Sequence, residues 1–162
     1  MKKITLLFPA MLLSLGLLAQ NEPAVSLSSG WKFTTGDPTG AQATDFNDSG
    51  WKSIAMDKNW ELQGYDTYDG YAWYRIRVVI PSSLKKSAYL KDSLQLALGK
   101  INNYDQSFLN GELLGINAVT LSRGARADPD FIQAPSSMWD VQRDYVLSVN
   151  DPRIRWDREN TI

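Results

Sequence analysis

The sequence predicts an all-β protein, an antiparallel β-sandwich or jelly roll, on three observations. Short stretches that alternate apolar and polar residues recur at residues 30–35, at 71–80 and around Leu94, Leu96 and Leu98. Turn-forming residues close them: Gly36-Asp37-Pro38, Pro81, Gly99 and the dipeptide Asn110-Gly111. No stretch beyond a turn or two reads as helix, and no internal repeat is present. Alternation at period two sets one row of side chains against a core, and several such strands joined by turns stack as two sheets.

In chain order, Gly30-Trp-Lys-Phe-Thr-Thr35 alternates bulky and polar residues and reads as a first strand. Asp45-Phe-Asn-Asp-Ser-Gly50 is turn chemistry, and residues 51–56 resume a short strand before an aromatic-rich loop over residues 60–70. Residues 71–80 form the clearest strand. Ala72, Tyr74, Ile76, Val78 and Ile80 share one face, expected in the core, while Tyr71, Trp73, Arg75 and Arg77 share the other. Pro81 ends this strand, because proline has no N–H for a ladder bond. Leu94, Leu96 and Leu98 mark the next. Residues 105–109 and 112–116 then flank Asn110-Gly111, a pair that tolerates the positive φ angles of a type I′ hairpin turn. From Asn117 to Asp140 the chain is irregular, and a connection of that length is usually functional or mobile. Tyr145, Leu147 and Val149 mark a further strand.

The first twenty residues are read apart from the domain. Lys2 and Lys3 precede an apolar run from Ile4 to Ala19, and the polar Gln20-Asn21-Glu22-Pro23 follows. That layout predicts a cleaved secretory signal over residues 1–20, cut after Ala19 or Gln20, and a β-sandwich domain over residues 21–162. A membrane anchor fits less well, because a span needs ~20 apolar residues and Pro9 and Gly16 interrupt this run. No cysteine is present to accept an amino-terminal lipid or form a disulfide, so a periplasmic or secreted protein is expected, held together by packing. Loss of Lys2 and Lys3 leaves 15 basic against 18 acidic residues, a formal −3. Without a basic run, nucleic acid is a poor partner.

The chain also lacks histidine, which with the absence of cysteine removes Ser-His-Asp and Cys-His nucleophilic schemes and the usual zinc sites. Asp37, Glu61, Asp66 and Asp69 lie in loops that could converge as a glycosidase pair, held ~5–10 Å apart. Solvated loop carboxylates are far commoner, so no catalytic residue is assigned. The 45–50 turn invites calcium, yet Met56 stands where a bidentate glutamate would be needed, and an Asx-turn is the simpler account. No metal or cofactor is expected.

Several motifs, taken in order, resemble a known domain. They are Trp31; the aspartate-rich turn from Asp45 to Trp51; Trp73-Tyr74-Arg75 with Pro81; Leu94-x-Leu96-x-Leu98-Gly99; and Leu109-Asn110-Gly111-Glu112-Leu113-Leu114-Gly115. From about residue 27 to its end, the chain resembles the sugar-binding, galactose-binding-like jelly-roll domain at the front of family 2 glycoside hydrolases, such as β-galactosidase-like enzymes. The resemblance implies a non-catalytic accessory domain followed by a second sandwich and an (α/β)₈ barrel that carries two catalytic carboxylates. It also implies a closing Asn-x-Ile-x-Val-x-Val strand that would be starting at Glu159-Asn160-Thr161-Ile162, so a truncated chain is expected, with a downstream catalytic domain as partner. Similar domains accompany carbohydrate esterases, and an independent carbohydrate-binding module is a further alternative.

Carbohydrate is the expected ligand class, because sugar C–H faces stack on aromatic rings while polar side chains meet the hydroxyls. Trp31, Trp51 and Tyr74 sit at strand positions and are expected in the core. The candidate carbohydrate-binding residues are Tyr65, Asp66, Tyr68, Asp69 and Tyr71 of the aromatic loop, with Trp73 and Arg75 on the outer face of the following strand. Packing of the same loop against a barrel is an equal alternative for them.

Overall fold

A computed structural model of the protein describes residues 23–86, 91–101, 104–117 and 141–162. The signal read at residues 1–20, and all but the first residue of the irregular stretch from Asn117 to Asp140, lie outside the described residues. The strands are β1 (Lys32–Thr35), β2 (Lys52–Ser53), β3 (Ala72–Arg75), β4 (Arg77–Val79) and β5 (Ser93–Lys100), then β6 (Asp105–Leu109), β7 (Glu112–Asn117), β8 (Gln142–Ser148) and β9 (Glu159–Thr161). Every pairing is antiparallel, in the order β2-β1-β3 with the pairs β4-β9, β5-β8 and β6-β7. Helical structure among the described residues is limited to 3-10 turns at Trp60–Gln63 and Ser82–Lys86, and no helix there is long and apolar enough to cross a membrane. The protein is an all-β antiparallel sandwich.

The single strand expected over residues 71–80 changes partner midway. β3 pairs with β1 through Lys32↔Arg75, Phe33↔Tyr74 and Thr34↔Trp73, whereas β4 pairs with β9 from Arg77↔Thr161 to Val79↔Glu159. Between them Ile76 exchanges two backbone hydrogen bonds with Ile162, at 2.9 and 3.0 Å. The chain therefore stays extended, and the alternation survives: Ile76 and Ile80 are buried and Val78 is half-buried. Directly opposed residues share a sheet face, so Phe33 and Tyr74 look inward while Lys32, Thr34, Trp73 and Arg75 look outward.

Two apolar clusters fill the interior. Trp31, Phe33, Ile54 and Ile76 form one, joined by Trp60, Tyr65 and Tyr74; Ile80, Leu84, Leu109, Leu147 and Ile154 form the other, and Ile162 packs against both. Phe33 is fully buried, with its ring centroid 4.7 Å from Tyr65 and 4.9 Å from Tyr74. Each fully buried side chain of this size stabilises the fold by ~1.5–3 kcal/mol. Trp31 and Tyr74 are in this interior as expected, whereas Trp51 packs outside it.

The hairpin turn has φ of 53° at Asn110 and 87° at Gly111, the two positive values that a type I′ turn requires. Asn110 also holds the end of the fold. Its Nδ2 donates to the Arg153 carbonyl at 2.7 Å and to Asn160 Oδ1 at 2.8 Å, and its Oδ1 accepts from Thr161 N at 2.9 Å. Asn160 is fully buried and satisfied: Nδ2 donates to the carbonyls of Arg155 and Arg158, while Oδ1 accepts from Arg155 N. Between β6 and β8, Arg143 is buried and paired with Asp105, and it also donates to the carbonyl oxygens of Ile101 and Val141.

Candidate functional site

The outer face of β1, β3 and β4 is roofed by the chain itself. Residues 37–51 cross it as a strap, held at three successive outward positions. Asp37 Oδ1 accepts from Trp73 Nε1 at 2.8 Å at one end. In the middle, Arg75 Nη2 donates to the carbonyls of Ala41 and Ala43, and its guanidinium lies 5.6 Å from the Phe46 ring centroid and 5.3 Å from that of Trp51. At the far end Asp48 receives Arg77 Nη1 at 2.5 Å and Lys32 Nζ at 2.8 Å, with Arg75 Nη1 at 3.8 Å. Turn chemistry forms the strap locally: Asn47 Oδ1 accepts from Ser49 N at 3.1 Å, an Asx-turn.

Electrostatics hold the strap closed. Burial raises the Asp48 carboxyl pKa, but hydrogen bonds and charge from Lys32 and Arg77 outweigh it and hold it below the usual carboxylate range. For Arg75, burial lowers the guanidinium pKa while Asp48 acts against it. An arginine stays charged under such a shift. Three cations thus converge on one carboxylate whose oxygens face them. Among the described residues, no three histidine, cysteine, aspartate or glutamate side chains gather to hold a metal ion.

The aromatic loop is built on the 3-10 turn Trp60–Gln63 and closes against the start of the strap. The Tyr68 hydroxyl accepts from Gly36 N at 2.9 Å and donates to the Tyr71 carbonyl, which also accepts from Gly36 N at 2.7 Å. Gly70 makes room for this contact, since a Cβ there would sit 2.9 Å from the Tyr68 hydroxyl. On the inner side, burial pushes the Tyr74 hydroxyl pKa up to about 12, with the Glu61 charge adding to the shift. Tyr74 is therefore a neutral packing residue at neutral pH.

The structure gathers some expected site residues and separates others. Tyr68, Tyr71 and Trp73 meet around Gly36 and Asp37, with Tyr71 56% exposed. Asp66 and Asp69 are exposed on the same loop. Tyr65 instead packs on Phe33 in the interior. Arg75 is only 2% exposed beneath the strap, so its guanidinium is committed to the chain's own carbonyls and rings and offers no open face to a ligand. Phe108 of β6 joins the corner by stacking on Trp73, with centroids 5.7 Å apart and planes 23° apart. Its outward place on the hairpin is readable from alternation, but its neighbour is not. Elsewhere, a recess of about 320 Å³ between residues 23–27, β4 and β5 is lined mainly by apolar side chains such as Val25, Leu27, Val78, Ile80, Leu94 and Leu96. That lining offers hydroxyl-rich ligands few partners.

The pairings and the two apolar clusters define the chain as an antiparallel β-sandwich domain. In fold, the chain is similar to β-glucuronidase 2 of Bacteroides uniformis, with a TM-score of 0.60 and 23% identity over 85% of this chain and 14% of that one. It is similar also to a glycosyl hydrolase family 2 member from Bacteroides cellulosilyticus (TM-score 0.56, 16% identity, 85% of this chain and 16% of that one). A β-glycosidase from Bacteroides vulgatus gives a TM-score of 0.53 at 22% identity over the same shares. These likenesses are of fold. The chain spans about one-seventh of the length of the structures it matches. No protein-family model and no curated protein matches the sequence.

Proposed function

We propose that this chain is a non-catalytic accessory β-sandwich of an exported, multidomain glycoside hydrolase, and that a linked domain supplies the catalytic carboxylates. One observation carries the reading: 85% of the chain superposes on a small part of several glycosidases, including family 2 members. The side-chain inventory supports it, because without histidine or cysteine the usual nucleophilic triads cannot be assembled. The strap adds weight, since it covers Arg75 on the outer face of β3 while Tyr71, at the start of that strand, stays exposed. Export rests on the charged-then-apolar leader at residues 1–20.

The test is to read the gene onward past the Ile162 codon and assay the full polypeptide on p-nitrophenyl β-glycosides. A barrel with two acidic residues at its strand ends, together with glycoside hydrolysis, is the expected result. A Gly-Asp-Ser nucleophile motif downstream would reassign the chain to a carbohydrate esterase. An immediate stop codon would remove the accessory role. Sequencing the amino terminus of the mature protein checks the leader.

A further inference from the structure

We infer that Asn110-Gly111 is a latent modification site: the folded hairpin guards Asn110 against deamidation, and opening of β9 releases it to become aspartate or isoaspartate. It is the one Asn-Gly pair in the sequence. In the reaction the Gly111 backbone nitrogen attacks Asn110 Cγ. The new C–N bond closes a cyclic imide, the Cγ–Nδ2 bond breaks, and Nδ2 leaves as ammonia with the Gly111 amide proton. Water then opens the imide at Cγ, giving aspartate, or at the main-chain carbonyl, giving isoaspartate. Nothing is oxidised or reduced, and water is the only co-reactant. Glycine suits the second position because it has no side chain to obstruct the close approach of its backbone.

The fold holds this chemistry back from two sides. Nδ2 donates to the Arg153 carbonyl and to Asn160 Oδ1, and Oδ1 accepts from Thr161 N, so both ends of the carboxamide are tied to partners 43 to 51 residues away. Attack needs the carboxamide turned to face the Gly111 nitrogen, and it needs Nδ2 to gain a proton and depart. The three bonds oppose the turn, and Nδ2 here donates to two acceptors. Gly111 in turn lies against the strap: a Cβ on it would sit 3.5 Å from the Gln42 carbonyl oxygen and 4.0 Å from Ala43 Cα. All three side-chain partners belong to β9 and the segment that leads into it. The Asn110 backbone N–H also donates to the Thr161 carbonyl, at 2.8 Å. β9 itself is three residues long, and so short an element is a natural unit of local opening.

The change is one-way for the fold as well as for the side chain. A carboxylate has no N–H, so an oxygen would stand where Nδ2 donates, facing the Arg153 carbonyl and Asn160 Oδ1, both of them acceptors. Asn160 is fully buried, so water cannot relieve that contact. Isoaspartate adds a main-chain methylene to a two-residue turn whose length sets the register of β6 and β7. In either product β9 is kept from redocking, and the modified residue is a lasting record that it once opened.

The experiment incubates the full chain in mildly alkaline buffer and follows Asn110 by peptide mass mapping, beside a synthetic peptide of residues 107–115. The folded chain should convert at least tenfold more slowly than the peptide. Urea below the unfolding transition should raise the rate in step with hydrogen exchange at the Thr161 amide, and Asn160→Ala should raise it at least fivefold. Should Asn160→Ala not fold, the urea series on the unaltered chain makes the same comparison. In fully unfolding urea, Gly111→Ala should convert at least tenfold more slowly than the unaltered chain, which marks the Gly111 nitrogen as the nucleophile. Converted protein should lose exchange protection at the Thr161 and Ile162 amides. The inference is overturned if the folded chain converts as fast as the peptide, if the rate is indifferent to exchange at Thr161, or if converted protein keeps that protection.

Discussion

Asp48 and Arg75 show how much one buried charge can organise. Arg75 carries its charge into a site only 2% exposed, and Asp48 is the anion nearest to it. Removing one partner of a buried pair leaves the other uncompensated, so Asp48→Ala should lower unfolding free energy by about 3–5 kcal/mol in chemical denaturation. Lys32 is more than a third exposed, and its pair with Asp48 is screened by water; Lys32→Ala should cost about 1 kcal/mol or less. Acid has the same target as Asp48→Ala. The Asp48 pKa is depressed in the fold, so its stabilisation is full above the unfolded value of ~3.9 and is lost as pH falls through the folded value. Melting temperature should therefore fall below about pH 4, and Asp48→Asn should lack that share of the fall. Alternation along residues 71–80 puts Arg75 on the outward face. It cannot report a roof contributed by carbonyls 32 and 34 residues away, and for that reason Arg75 reads as a surface ligand in the sequence but is buried in the fold.

At the scale of elements, two turns do more than reverse the chain. Gly70 has φ of 153° and faces the Tyr68 hydroxyl, so Gly70→Ala should displace Tyr68 and loosen the Gly36–Tyr71 junction. Faster hydrogen exchange at the Gly36 amide and a loss of about 1–3 kcal/mol are the expected readouts. Asn110 has two roles with different visibility. Its positive φ is a local demand of the type I′ turn, and Asn-Gly announces it in the sequence. Its amide group, however, bridges to Arg153, Asn160 and Thr161, contacts 43 to 51 residues distant that no local pattern encodes. Asn110→Gly keeps the turn and removes the bridge, and should cost about 2–4 kcal/mol in thermal or urea unfolding. A cost near zero would mean that the bridge adds nothing to the turn.

For the molecule as a whole, the all-β class is readable because period-two alternation and turn residues agree along the chain. The change of partner at Ile76 is not, since extended backbone carries no mark of which strand lies beside it. The strap has a temporal consequence. Its anchors, Trp73, Arg75 and Arg77, stand in a row only after β3 and β4 have taken up their register, so the strap should close late in assembly and open first in fluctuation. Its amides over residues 41–51 should exchange with solvent through an opening smaller than global unfolding, while those of β3 exchange only with the whole fold. The outer face of the sheet would then be bare for brief intervals, shielded by a cover that lifts without the sandwich coming apart.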